Sequence, residues 1–355
     1  MAIRIAVIGT GGIAHAHGDA YKKLGDRVEF VACADLDLAK AQKYAEEYGI
    51  PANKAYDNCY DMLKENEIDA VSVTTWNSAH AECTIAALNA GCHVFCEKPM
   101  AMNAEEAKAM KEAAEKNGKI LMLGFVRRHG NDAKSALNLI KEGYMGDIYY
   151  AKASYLRRCG FPGGWFGDKS RSGGGPLIDL GVHVIDLARY IMGNPKPVSA
   201  YGATFDKLGA RSEVALSADD WQSTTETEKP IFDVEDLATA MVRFDNGAVL
   251  HVEASFNLNI KTPTTTVEFF GDKAGLSFTP FELHTVVDNK LADIAIQGDT
   301  GFHFSNSFAA EAKNFIDAIE GKAELVANAE DGVTLMKILD AIYLSAQTGK
   351  SVDIE

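Results

Sequence analysis

The sequence predicts an α/β protein in two parts: a doubly wound parallel sheet over residues 1–125, and an α+β region over 126–355 built on a large, open, mostly antiparallel sheet. Three observations carry this expectation. Short apolar runs alternate with helical stretches as far as Phe125, a glycine-rich turn follows the first run, and beyond Phe125 the chain changes to segments whose side chains alternate two by two.

In the first part the apolar runs Ile3–Ile8, Val28–Ala34, Ala70–Thr74, Cys92–Cys96 and Ile120–Leu123 suit strands buried on both faces, with a shorter strand near Lys54–Ala55. Helical stretches at Ile13–Leu24, Leu38–Tyr48, Tyr56–Glu65, Ala79–Ala90 and Ala104–Asn117 lie between them. Such alternation gives right-handed crossovers and a ligand site at the carboxyl ends of the strands. In the second part Asn131–Glu142 is helical and Ile148–Arg157 alternates. A helix over Pro176–Met192 follows a glycine cluster, its proline suited to the first turn. Alternating segments follow at Pro197–Phe205, Asp236–Phe244, Ala248–Phe256 and Thr264–Phe270, the middle two joined by a hairpin signal at Asn246-Gly247. Helices at Ser307–Glu320 and Ala329–Ala346 close the chain. The polar tract Asp206–Pro230 reads as a long loop or lid. The uncovered sheet face predicts a homodimer or homotetramer formed through it.

Composition narrows the function. The 355 residues carry 35 Lys+Arg against 50 Asp+Glu, a net charge of −15, which argues against nucleic acid as a partner. No apolar stretch approaches the roughly 20 residues of a membrane helix, and the first strand starts too early for a signal peptide, so the expected location is the cytoplasm. Cys33, Cys59, Cys83, Cys92, Cys96 and Cys159 show no Cys-x-x-Cys spacing and read as small buried groups in a reducing compartment.

Gly9-Thr10-Gly11-Gly12-Ile13-Ala14 fits G-x-G-x-x-G/A. The pattern alone is unspecific; its weight comes from following a strand, opening a helix and preceding a second strand that ends at Asp35. Gly9 then makes the tight turn, Gly11 admits a pyrophosphate, Ala14 allows close packing, and the N–H groups around Thr10, Gly12 and Ile13 face the phosphates. A carboxylate at Asp35 accepts from ribose hydroxyls and repels a 2′-phosphate, and Asp37 adds to that repulsion, so NAD is expected over NADP. His15 and His17 lie beyond this turn and read as partly exposed helix surface.

Glu97-Lys98-Pro99 stands where the fifth strand ends, where the ammonium of Lys98 can stabilise a developing alkoxide. Asp179 and His183 are four apart, on one face of a helix, with Asp186 three further on, placed to orient the ring or cap a network. Imidazole is matched to proton transfer near neutrality. A surface pair and a metal site are the other readings of Asp-x-x-x-His; with no convincing third ligand, no metal is expected.

In these three motifs the chain resembles the Gfo/Idh/MocA family of nicotinamide-dependent sugar and polyol oxidoreductases. The resemblance implies a Rossmann domain, a second domain with an open sheet, Lys98, Asp179 and His183 as the catalytic set, and a cis peptide at Lys98–Pro99. It also implies that Glu97 and Lys98, with the loop Thr75-Trp76-Asn77-Ser78-Ala79-His80, border the cofactor. That loop keeps Asn77 and His80 but has Trp76 where the family usually has proline. The reaction implied is reversible transfer of hydride from a secondary alcohol of a sugar, polyol or glycoside to NAD, with Trp76, Arg128 and Lys169 as candidate substrate contacts. Two other uses of the scaffold are a regulator that senses NAD without turnover, and a cycle of oxidation, elimination and reduction on glycosides with NAD retained. The joint presence of Lys98, Asp179 and His183 counts against the regulator.

Overall fold

A computed structural model describes residues 2–214, 222–223 and 231–355. Most of the tract Asp206–Pro230 therefore lies outside the described residues. The chain divides into two compact units, one comprising the N-terminal residues through Val126 together with Phe304–Met336, the other Arg127–His303 with Lys337–Glu355.

The first unit is a parallel sheet of six strands, β1 (Ile3–Ile8), β2 (Val28–Ala34), β3 (Ala55–Tyr56), β4 (Ala70–Val73), β5 (His93–Cys96) and β6 (Leu121–Leu123), in the order β3-β2-β1-β4-β5-β6. Helices α1 (Gly12–Lys22), α2 (Leu38–Tyr48), α3 (Cys59–Glu65), α4 (Asn77–Asn89) and α5 (Ala104–Asn117) connect the strands. The strands are apolar runs because both faces are covered; Ile5, Val7, Val71, Val73, Val94 and Phe95 are all buried. Asp37, Asn58 and Asn103 accept backbone N–H groups at the starts of α2, α3 and α5, each such cap worth about 1 kcal/mol. The strand order reverses between β1 and β4, and that crevice is where an open α/β sheet takes its ligand.

Phe304–Met336, expected in the second domain, packs with the first unit. Phe315 meets Phe95 at 5.5 Å between centroids, Arg27 binds Asp317 at 2.6 Å, and Leu123 N–H donates to Ala327 O at 3.2 Å. The apolar stripe over Phe304–Ile319 shows that it covers something and not which part; it packs on α1 and the Phe95 ring, while Ala327 and Asn328 beyond it meet β6.

In the second unit nine strands run β14-β13-β12-β11-β7-β10-β9-β8-β15. They are β7 (Ile148–Leu156), β8 (Pro197–Phe205), β9 (Leu237–Phe244), β10 (Val249–Ser255), β11 (Thr264–Gly271), β12 (Gly275–Phe278), β13 (Phe281–Val287), β14 (Lys290–Ala295) and β15 (Val352–Asp353). All neighbours are antiparallel except β7 and β10. The helices are α6 (Asn131–Lys141), a single turn α7 (Lys169–Ser172), and α8 (Val182–Ile191), preceded by a π-helical turn at Leu177–Gly181. Two further helices are α9 (Phe304–Ile319), in the first unit, and α10 (Ala329–Thr348), which spans the division at Met336. The π turn and α8 pack on β7 and β10, where Ala151, Ala153, Leu250, Val252 and Ala254 are buried. Tyr201 and Met241, opposite one another on β8 and β9, are about half exposed. The strands β12 to β14 were not anticipated. Among the described residues no helix is long and apolar enough to cross a membrane.

Candidate active site

The glycine turn leaves β1 at Gly9, whose φ is +86°. A Cβ there would lie 2.8 Å from the backbone of Thr74 and Thr75, so only glycine lets the turn pass the end of β4. Gly11 precedes α1 with no side-chain cap, the first turn holds no acidic residue, and the space beside Gly11 and Gly12 is open. A helix start with uncapped N–H groups facing free space fits a pyrophosphate. At the end of β2, Asp35 accepts from Thr10 N (2.8 Å), Thr10 Oγ1 (3.1 Å) and Asp37 N (2.9 Å). This fixes the carboxylate beside the turn, with an acceptor position on Oδ1 left for a ribose hydroxyl. The donor set thus fits a dinucleotide.

The loop after β4 is fastened to the turn after β5. Thr74 Oγ1 donates to Gly9 O at 2.5 Å. Trp76, half-buried, stands at the start of α4, whose first residue Asn77 is buried. His80 is 1% exposed, with Nδ1 2.7 Å from Pro99 O and Nε2 3.1 Å from Thr75 O. Both ring nitrogens face backbone carbonyl oxygens, one on each loop, and burial lowers the pKa of the ring. His80 is therefore a strut between the two loops. The Lys98–Pro99 bond is cis, and Lys98 N donates to Glu97 Oε2 at 3.1 Å. Glu97, expected at the cofactor, is buried, its other oxygen 2.8 Å from His17 Nε2. His17 corrects its own expectation too, being wholly buried, whereas His15 is half-buried and packs on Tyr44 and Tyr48.

In the second unit Asp179 lies in the π turn and His183 in the first turn of α8. Val182 N–H reaches back to Leu177 O, five residues earlier, a departure often found at functional sites in helices. Asp179 is buried and His183 half-buried. The start of this segment is held by Glu235, a residue the sequence reading missed. Its carboxylate accepts Gly175 N–H (2.9 Å), Leu177 N–H (3.2 Å) and Tyr343 O–H (2.9 Å). A side chain on Gly175 would run into the Glu235 carbonyl oxygen. Burial pushes the Glu235 pKa up.

The candidate substrate contacts fare differently. Arg128 is not a ready ligand, because its side chain has no exposed surface and binds Asp186 in a fork, Nε at 2.9 Å and Nη2 at 2.7 Å. Asp186, expected to orient the His183 ring or cap a network, accepts both bonds of this guanidinium. Lys169 is exposed at the start of α7, its backbone N–H donating to Asp233. Trp165 stacks on Phe166 at 4.0 Å between centroids. No cluster of three metal-ligating side chains occurs among the described residues.

Comparison with known proteins places this architecture. Residues 3–125 match the family model of an oxidoreductase family with an NAD-binding Rossmann fold, and residues 134–277 match the GFO/IDH/MocA C-terminal domain. The chain belongs to the Gfo/Idh/MocA family. Within that family it is 36% identical over 356 residues to D-glucoside 3-dehydrogenase of Escherichia coli (strain K12), covering 99% of this chain and 97% of that protein. It is 29% identical over 388 residues to levoglucosan dehydrogenase of Pseudarthrobacter phenanthrenivorans, covering 99% and 98%. The solved complex of levoglucosan dehydrogenase with NADH superposes over the whole of both chains, with a TM-score of 0.85 at 25% identity. As a Gfo/Idh/MocA protein the chain is an oxidoreductase, and its first unit carries the NAD-binding domain.

Proposed function

We propose that this enzyme reversibly oxidises a secondary hydroxyl of a sugar, polyol or glycoside, with Lys98, Asp179 and His183 as the reacting side chains. The observation that carries the reading is Lys98 on the turn leaving β5, at the strand edge where the nicotinamide of a Rossmann domain belongs. The 36% identity to a D-glucoside 3-dehydrogenase makes glucosides the first substrates to assay.

Gly9 through Ile13 hold the pyrophosphate and Asp35 the adenosine ribose, which favours NAD over NADP; Thr75 and Asn77 border the nicotinamide half. Bound NAD supplies the hydride acceptor. His183 takes the hydroxyl proton and returns it in the reverse direction. The Lys98 ammonium stabilises negative charge on the substrate oxygen. Asp179 positions the substrate and supports the two cationic neighbours, and Trp76 and Lys169 contact the sugar. Scanning glucosides, aldoses and polyols for NADH absorbance tests the reading. No turnover on any, despite tight NAD binding, would favour a sensor or a retained-cofactor cycle.

The protein assembles as a homodimer or homotetramer through the outer face of its nine-stranded sheet. Support comes from half-exposed Tyr201 and Met241 and a depression of ≈ 370 Å³ lined by these residues with Ser199, Arg243, Gly247, Val249 and Ser351. Light scattering of a Met241→Lys variant tests it; an unchanged mass would refute this face. Six free cysteines suit a reducing compartment, so we place the enzyme in the cytoplasm.

A further inference from the structure

His17 is a buried imidazole that the proposed chemistry leaves unused. It lies on α1 and is 1% exposed, its ring 4.4 Å from the Phe95 ring and 5.8 Å from that of Phe308. Both nitrogens are engaged, Nε2 with Glu97 Oε1 at 2.8 Å and Nδ1 with Ser72 Oγ at 3.2 Å. Ser72 Oγ is also 2.9 Å from Tyr21 OH.

Partner chemistry sets the link to Glu97: its carboxylate oxygen accepts, so His17 Nε2–H donates to it. Nδ1 and Ser72 Oγ form the next link and Ser72 Oγ and Tyr21 OH the last, with burial raising the Tyr21 pKa and keeping the phenol protonated. The chain ends on a carboxylate whose second oxygen accepts the backbone N–H of Lys98. A buried carboxylate is held by the charge-assisted hydrogen bonds it receives, and these are stronger and more directional than neutral ones. Glu97 receives one from an aromatic-packed ring and passes its orientation to the peptide from which the Lys98 side chain departs.

We propose that His17 is a positioning residue for Lys98, acting through Glu97. The inference rests on the reading of Lys98 as the group that stabilises substrate negative charge. His17→Leu removes the donor while keeping an apolar filler, and His17→Gln restores an N–H in the place of Nε2. The expected result is a kcat at least tenfold lower in H17L, a Kd for NAD within threefold of the parent, and recovery of kcat to within threefold in H17Q. In the enzyme without substrate, the 13C-dimethyl resonance of Lys98, assigned by its loss in K98A, should move in H17L and return in H17Q. A kcat for H17L within threefold of the parent, or H17Q as slow as a folded H17L, overturns the proposal. Should H17L not fold, Ser72→Ala loosens the ring from its other side. It should lower kcat about threefold with NAD affinity intact, and an unchanged kcat overturns the proposal equally. K98A separates the two ideas: full turnover in K98A refutes the role of Lys98 itself, whereas slow K98A beside fast H17L refutes only the role of His17.

Discussion

The two units hold their candidate reacting groups by different means. In the first, Gly9, Asp35, Glu97 and Lys98 sit at or just beyond the ends of strands that the order of the parallel sheet brings side by side. In the second, Asp179 and His183 ride on a helix whose first turn is tied by Glu235, about sixty residues later in the chain. The contrast teaches that a site made of strand ends is placed by the topology of the sheet, while a site on a helix inherits its position from whatever clamps that helix.

The largest expected effects test both sides at once. His183→Ala should lower turnover roughly a hundredfold to ten-thousandfold, and Lys98→Ala a hundredfold to a thousandfold, with NAD binding by fluorescence titration little changed. If only one variant is slow, the reacting groups belong to one unit and the contrast dissolves.

Next in size is an acid effect in the second unit. Burial pushes the His129 imidazole down to about 4, helped by Lys134 and Arg128, from about 6.5 in an unfolded chain. Between those values the unfolded chain binds a proton that the folded one refuses. Stability present above pH 6.5 is therefore lost as pH falls toward 4, by about 3 kcal/mol in all. Urea unfolding at pH 7 and pH 4.5 should show a smaller drop in His129→Gln than in the parent; parallel drops would remove His129 as the cause.

Glu235→Ala probes the clamp directly. It leaves two buried backbone donors and a tyrosine hydroxyl without their acceptor, at a cost of about 2 kcal/mol, and should lower kcat while NAD affinity holds. Equal losses in Glu235→Ala and Tyr343→Phe would assign the effect to stability alone. Smallest is Asp35→Ser, expected to shift preference toward NADP roughly tenfold by removing a charged acceptor, read as the ratio of kcat/KM values. An unchanged ratio would show that the ribose is read elsewhere.

Legibility in the sequence followed the same division. β1, β2, α2 and α5 have the bounds expected of them, because strands covered on both faces are unbroken apolar runs and the helix starts at Asp37 and Asn103 carry side-chain caps. His17 was misjudged although the signal was present: Ala14, His17, Gly18 and Tyr21 share one buried face of α1 at helical spacing. The hairpin β13–β14 was missed because β14 is largely exposed and lacks an apolar alternation. Its turn residues Asp288 and Asn289 both have positive φ, and that pair was the available clue. Glu235 had no local signature, since its partners at Gly175, Leu177 and Tyr343 are far away in sequence.

The return of Phe304–Met336 to the first unit bears on how the protein is made. A ribosome that has released the first 126 residues has delivered the glycine turn and all six parallel strands, yet the cover over Phe95 and the partner of Arg27 still await synthesis. At ordinary elongation rates that delay is on the order of ten seconds or more. Throughout it the nascent dinucleotide fold presents an unfinished flank, and a fragment cut at Val126 would lack the same cover over Phe95 and the same partner of Arg27.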